Sequence, residues 1–211
     1  MNFVSEEIEK YSTIHSESES ELLKKLYRET HLNVLNPRMI SGPLQGRILS
    51  FISKIINPNK ILEIGTFTGY STLCLAEGLK KNGTIQTIEK NDELIGIQNK
   101  YFEKSLYRKN IFQLTGNALQ IIPTLNEKYD LIFLDADKKN YLTYLDLIIP
   151  KLKTKGILIT DNVLWNGKVL NKVKDKDSEI IDNYNKKIKS DRRLNSVIFP
   201  IRDGITVSLK V

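Results

Sequence analysis

The chain has 211 residues, 40% hydrophobic and 27% charged, a balance that suits one folded domain with a full apolar core. No run approaches the roughly 18 apolar residues that a membrane-spanning helix requires, and the acidic, amphipathic start is unlike a secretory leader. A single cysteine, Cys74, cannot form an internal disulfide, so the expected compartment is the cytoplasm. The formal charge of +7 comes from lysines spread along the chain among many Asn and Ile residues, which reads as compositional bias more than a nucleic-acid footprint.

Residues 1–57 read as helices. Ser5-Glu-Glu-Ile opens one, and Ser18-Glu-Ser-Glu opens a second, with carboxylates in the first turn where the helix dipole favours them. Leu22, Leu23, Leu26 and Tyr27 recur at helical spacing in the second. Pro37 interrupts the pattern, and a third helix is predicted over Pro43 to Ile56. From Lys60 onward, short apolar runs alternate with helical segments. Strands are predicted at Lys60–Ile64, Thr84–Glu89, Ile111–Thr115, Leu131–Asp135 and Gly156–Thr160. Helices are predicted around Ser71–Leu79, Glu93–Lys104, Ala118–Leu125 and Tyr141–Leu152. Strands this apolar, each followed by a helix, predict a parallel sheet covered on both faces and doubly wound by right-handed crossovers.

The last segment departs from that alternation. Residues 164–177 are polar and Lys-rich and read as a loop, followed by a helix over Ser178–Ser190. Asn195–Pro200 and Ile205–Val211 flank Arg202-Asp203-Gly204 and predict an antiparallel hairpin at the sheet edge. The expected fold is therefore α/β, with a doubly wound, mostly parallel sheet of seven strands and extra N-terminal helices. Nothing in the composition divides the chain, so residues 1–211 form one domain, with a lid and helices at 1–57 ahead of the core at 58–211.

The segment Ile61-Leu-Glu-Ile-Gly-Thr-Phe-Thr-Gly-Tyr-Ser71 ends a strand, turns on Gly65 and Gly69, and opens a helix. Ligands of such sheets lie beyond the carboxyl ends of the strands, and glycine lets the backbone approach them. The segment has neither the Gly-Lys-Ser/Thr of a P-loop nor the spacing Gly-x-Gly-x-x-Gly, and a glycine turn alone fits many nucleotide-binding proteins. Glu89, at the end of the second strand, can accept hydrogen bonds from both ribose hydroxyls of an adenosine. Glu63, just before the turn, could attract a cationic amino-acid group. A solvated strand end is the plain alternative for each acid.

At the ends of the fourth and fifth strands stand Asp135 and the pair Asp161-Asn162. Two carboxylates and a carboxamide form a hard oxygen set suited to magnesium, calcium or manganese rather than zinc. A turn after a strand would use Asp and Asn as well. His15 and His31 lie far away in the N-terminal helices, and Cys74 reads as buried filler.

Leu62-Glu-Ile-Gly-Thr-Phe-Thr-Gly-Tyr-Ser-Thr72 resembles the first motif of class I S-adenosylmethionine-dependent methyltransferases, and more narrowly the catechol and caffeoyl-coenzyme A O-methyltransferases and their bacterial relatives. The resemblance continues through Asn36-Pro-Arg-Met-Ile-Ser-Gly42, Gln45-Gly46, Thr115-Gly-Asn-Ala118, Phe133-Leu-Asp-Ala-Asp-Lys138, Thr160-Asp-Asn-Val-Leu-Trp165 and Asp203-Gly204, nearly the whole chain. It implies a Rossmann-like core. It also implies that Met39 and Ser41 flank S-adenosylmethionine, that Glu63, Gly65, Tyr70 and Ser71 hold its methionine part, and that Glu89 holds its ribose. Asn117 and Ala118 would hold its adenine, with Asp135 adjoining the cofactor as well. The same resemblance makes Asp135, Asp161 and Asn162 ligands of a divalent cation, magnesium foremost, and Lys138 the general base. A lysine in that role must shed its proton near neutrality, which a nearby cation and partial burial favour. Lys139 is expected to be an ordinary exposed lysine. Trp165, Arg202 and Asp203 would wall the acceptor pocket, although Trp165 fits core packing equally well. Met39–Gly42 could close over both ligands as a lid.

The expected activity is metal-dependent methyl transfer to a hydroxyl of a catechol-like small molecule. The second reading keeps that chemistry but takes a hydroxylated uridine in transfer RNA, contacted by the basic region Lys168–Arg193. The third is a non-catalytic cofactor-binding module. The amphipathic N-terminal helices and the edge hairpin suggest a homodimer.

Overall fold

The computed structural model describes residues 4–211. The apolar runs become β1 (Lys60–Ile64), β2 (Thr84–Glu89), β3 (Ile111–Thr115), β4 (Tyr129–Leu134) and β5 (Leu152–Asp161), all parallel, while β6 (Leu194–Phe199) and β7 (Ile205–Lys210) run antiparallel. Together they form one seven-stranded sheet in the order β3-β2-β1-β4-β5-β7-β6. β7 is inserted against β5, which leaves β6 as the free edge of the hairpin.

The helices are α1 (Glu6–Ile14), α2 (Glu21–Asn33), α3 (Pro43–Ile56), α4 (Tyr70–Ala76), α5 (Ile95–Phe102), α6 (Ala118–Thr124), α7 (Tyr141–Ile148) and α8 (Lys176–Ser190). Side chains alternate across the strands, so each strand feeds two cores. Leu62, Ile64, Ile132 and Leu134 pack with α6, α7 and α8 on one face. Ile61, Leu131, Phe133 and Ile159 pack with α2, α3, α4 and α5 on the other. Helix starts follow local chemistry: Ser20 Oγ accepts from the Leu23 amide, two residues later than the Ser18 start the composition suggests. Asp175 Oδ1 accepts from the Ser178 amide, which begins α8 at Lys176 rather than at Ser178.

Several boundaries shift for identifiable reasons. The helix expected over Tyr141–Leu152 ends at Ile148, because Pro150 cannot continue it and a short 3-10 turn follows. β5 begins at Leu152 rather than Gly156, with a register shift against β4 between Tyr129 and Leu131. The loop expected at 164–177 holds a 3-10 turn, Trp165–Leu170, in which Asn166 and Gly167 take positive φ. Cys74 is buried, with its thiol pushed up to about 12 by burial, in keeping with a packing role. Among the described residues, no helix is long and apolar enough to cross a membrane.

Candidate functional site

The strand order reverses between β1 and β4, and there the carboxyl ends of β1, β2, β3, β4 and β5 open onto a cavity of about 910 Å³. The turn after β1 is shaped for close backbone approach: Gly65 has φ +103°, and its amide donates to the Ile88 carbonyl at 3.0 Å. A Cβ on Gly65 would lie 1.9 Å from the Asp135 carbonyl oxygen, so only glycine fits between β1 and the end of β4. Glu89 is held facing the cavity by two backbone amides, Phe67 N to Oε2 at 2.8 Å and Asn91 N to Oε1 at 2.9 Å. Those bonds fix the carboxylate and leave lone pairs for further donors. Gly116, Asn117 and Ala118 form the adjoining wall, where the Asn117 side chain caps α6 through the Leu119 amide.

At the other end of the cavity lie the acids. Lys138 Nζ donates to Asp135 Oδ1 at 2.8 Å and to the Tyr141 hydroxyl at 2.7 Å, and it sits 4.9 Å from the Tyr141 ring centre. Tyr141 in turn donates to the Asp161 carbonyl at 3.0 Å. Asp161 Oδ2 accepts from Gln45 Nε2 at 2.6 Å, and Oδ1 accepts from the Asn162 amide at 2.7 Å. Asp161 is 4% exposed, and burial, reinforced by the Asp135 carboxylate, holds its carboxyl well above the usual range. Asn162 takes φ +57°, a conformation asparagine tolerates, on the cavity wall beside Asp161.

Among the described residues, no group of three or more His, Cys, Asp and Glu is placed to hold a metal, and the set here is two carboxylates and a carboxamide. It fits a hard dication: all donors are oxygens, and two neighbouring acids, one of them buried, leave negative charge that Lys138 alone only partly offsets.

The cavity brings together Met39, Gly65, Glu89, Asn117, Ala118, Asp135, Lys138, Asp161, Asn162, Trp165 and Arg202. Five residues expected beside the cofactor or acceptor do not line it. Glu63 is fully buried beneath the turn, where its oxygens accept from Ser71 at 2.6 Å, Thr87 at 2.7 Å and Thr72. Its carboxyl is pushed up to about 7, mainly by burial. It braces the turn from below and does not line the cavity. Ser71 spends its hydroxyl on Glu63, and Tyr70, 1% exposed, donates to Glu19 at 2.8 Å. Asp203 accepts from the Asn166 amide and, with Ser41, lines a smaller neighbouring cavity of about 440 Å³. Trp165 both packs against the core and walls the larger cavity, so its two readings coexist.

The structure adds residues that periodicity did not single out. Asn36, Pro37 and Arg38 continue the cavity wall beside Met39, Tyr144 also lines the cavity, and Gln45 touches Asp161. The signal available was the bracketing of this segment by Asn36-Pro37 and Gly42-Pro43.

A doubly wound sheet with an acid clamped at the end of β2 and an acid pair at the ends of β4 and β5 defines a site suited to a ribose-bearing cofactor at the switch point. Comparison with known proteins agrees. Residues 13–211 match the family model described as O-methyltransferase. The caffeoyl-CoA O-methyltransferase of Stellaria longipes is 31% identical over 205 residues, covering 92% of this chain and 85% of that protein. An O-methyltransferase from Bacillus cereus, solved in complex with SAH, superposes with a TM-score of 0.88 at 26% identity, covering 97% of each chain. An SAH-bound methyltransferase from Podospora anserina gives 0.90 at 25% identity, covering 97% of this chain and 94% of its own. The chain belongs to the S-adenosylmethionine-dependent O-methyltransferase family, of the caffeoyl-CoA O-methyltransferase type.

Proposed function

We propose that this enzyme transfers a methyl group from S-adenosylmethionine to one hydroxyl of a catechol-like small molecule, with a divalent cation, magnesium foremost, held by Asp135, Asp161 and Asn162. The observation that carries the reading is the acid pair at the ends of β4 and β5, with Lys138 2.8 Å from Asp135, in the cavity that also holds Glu89. Met39, Gly65, Asn117 and Ala118 would enclose the cofactor, and Glu89 would accept from its ribose hydroxyls. Glu63, Tyr70 and Ser71 would act indirectly, by fixing the turn and the start of α4. A dication held by Asp135, Asp161 and Asn162 would supply charge that stabilises an oxyanion on the acceptor. Lys138 would receive the hydroxyl proton, a role supported by its 2.7 Å hydrogen bond to the Tyr141 hydroxyl, which would hold its amine in place. Trp165 and Arg202 would orient the acceptor ring, and closing residues 36–42 would keep water out.

Transfer RNA is the second reading. Five cations of its proposed contact region, Lys168, Lys174, Lys186, Lys187 and Arg193, are paired with carboxylates, which leaves them less free for phosphates. A homodimer is the expected assembly. Val197, Ile198 and Phe199, on alternating sides of the edge strand β6, are at least 42% exposed and leave an apolar edge for a second copy. The test presents labelled S-adenosylmethionine to the enzyme with a catechol, the matching monophenol, or tRNA lacking the modification. Turnover confined to the catechol supports the proposal, and turnover confined to tRNA sinks the small-molecule reading.

A further inference from the structure

We propose that Gln45 is a positioning residue that aims Asp161 at the cation and ties that aim to the lid and the β6–β7 turn through Arg202. The inference rests on the cation reading above. Gln45 stands in the first turn of α3, 1% exposed, and is 116 residues from Asp161 and 157 from Arg202 in sequence. Its carboxamide has a forced polarity. Nε2 donates to Asp161 Oδ2 at 2.6 Å, while Oε1 accepts from Arg202 Nη1 at 3.2 Å. Turning the amide over would set oxygen against carboxylate and NH₂ against guanidinium, so both contacts must break together.

Arg202 Nη1 also donates to the Ile40 carbonyl of the lid at 2.9 Å. Arg202 itself sits at φ +49°, a left-handed conformation that a side chain rarely adopts and that the turn must enforce. The other oxygen of Asp161 is fixed by the Asn162 amide at 2.7 Å. The carboxylate therefore cannot rotate without losing one of its two partners. Gln45 and Arg202 thus join the lid, the hairpin turn and a proposed cation ligand in one hydrogen-bonded chain. Groups that orient a metal ligand without touching the metal commonly set its affinity.

The test measures Mn²⁺ binding by the full-length enzyme, from the electron paramagnetic resonance of free Mn²⁺, with neither cofactor nor acceptor present. SAH affinity, by calorimetry, serves as the control because its ribose end lies at Glu89. Gln45→Leu should weaken Mn²⁺ by about ten- to a hundredfold and leave SAH affinity unchanged. Arg202→Met, which touches no proposed ligand, should also weaken Mn²⁺, and should add nothing in the Gln45→Leu background, since the two act through one chain. Asp161→Ala should remove Mn²⁺ binding. Persistence of binding in Asp161→Ala overturns the cation reading itself. Loss there with wild-type affinity in folded Gln45→Leu overturns only the role of Gln45. Should Gln45→Leu fail to fold, Arg202→Met decides: unchanged Mn²⁺ affinity in that variant overturns the coupling.

Discussion

Replacing Gly65 by alanine should damage both the fold and the proposed cation site, and the structure allows the size to be worked out. At φ +103° an L side chain is strained, which costs about 1–2 kcal/mol. The added Cβ would also sit 1.9 Å from the Asp135 carbonyl oxygen and 2.7 Å from its carbon, both backbone atoms. Relief requires β1 and β4 to part at their ends, where the Asp135 amide donates to the Ile64 carbonyl at 2.9 Å. Losing that buried hydrogen bond costs about a further 1–3 kcal/mol, so the total is about 2–5 kcal/mol. Gly116 is the control. Its φ is +140°, yet a Cβ there meets only the flexible end of Ile121 at 3.3 Å, so Gly116→Ala should cost only the backbone strain, about 1–2 kcal/mol. Urea denaturation of the two variants and the wild type gives both numbers. A Gly65→Ala cost no larger than that of Gly116→Ala would refute the close-approach argument.

Four other outcomes follow from the same geometry. Glu89→Gln removes the charge that would receive the ribose hydroxyls and should weaken SAH binding by about 1.5–3 kcal/mol by calorimetry, without affecting Mn²⁺ affinity. Lys138→Ala should lower kcat by about 10²–10⁴ in a methyl-transfer assay while SAH affinity is kept; a smaller loss would remove Lys138 from the proton transfer. Glu63 holds its proton up to about 7 in the folded chain against 4.5 unfolded. The folded state therefore binds more protons across that window, and stability falls as pH rises from about 4.5 to about 7. Glu63→Gln should lose this dependence, worth about 3 kcal/mol at most, and denaturation curves at pH 5 and 7.5 that shift equally in both proteins would contradict it. Asp161→Ala should abolish turnover and keep SAH binding; global unfolding instead would mark Asp161 as structural.

The fold was legible where side-chain chemistry is local. β1, β2, β3 and α3 fall at the expected residues, because short apolar runs between turn residues and a Gly-Pro start leave little choice. The acids at strand ends were also legible, since the carboxyl edge of a parallel sheet collects them. Which way Glu63 faces was not. A strand buried on both sides shows no polar alternation, so nothing local says that Glu63 shares a face with Ile61 and points under α4. Tyr70 and Ser71 share that fate, because α4 is buried along its whole length. Gln45 stood out only as part of the Gln45-Gly46 motif and its role was not legible, because its partners lie more than a hundred residues away and meet it through tertiary packing.

The most direct test of the central claim is methyl transfer from S-adenosylmethionine to a catechol, measured with magnesium, with chelator, and with magnesium restored. Turnover that disappears with chelator and returns with the cation, while Asp161→Ala stays inactive throughout, is the predicted result. Turnover indifferent to chelator would contradict a cation held by Asp135, Asp161 and Asn162.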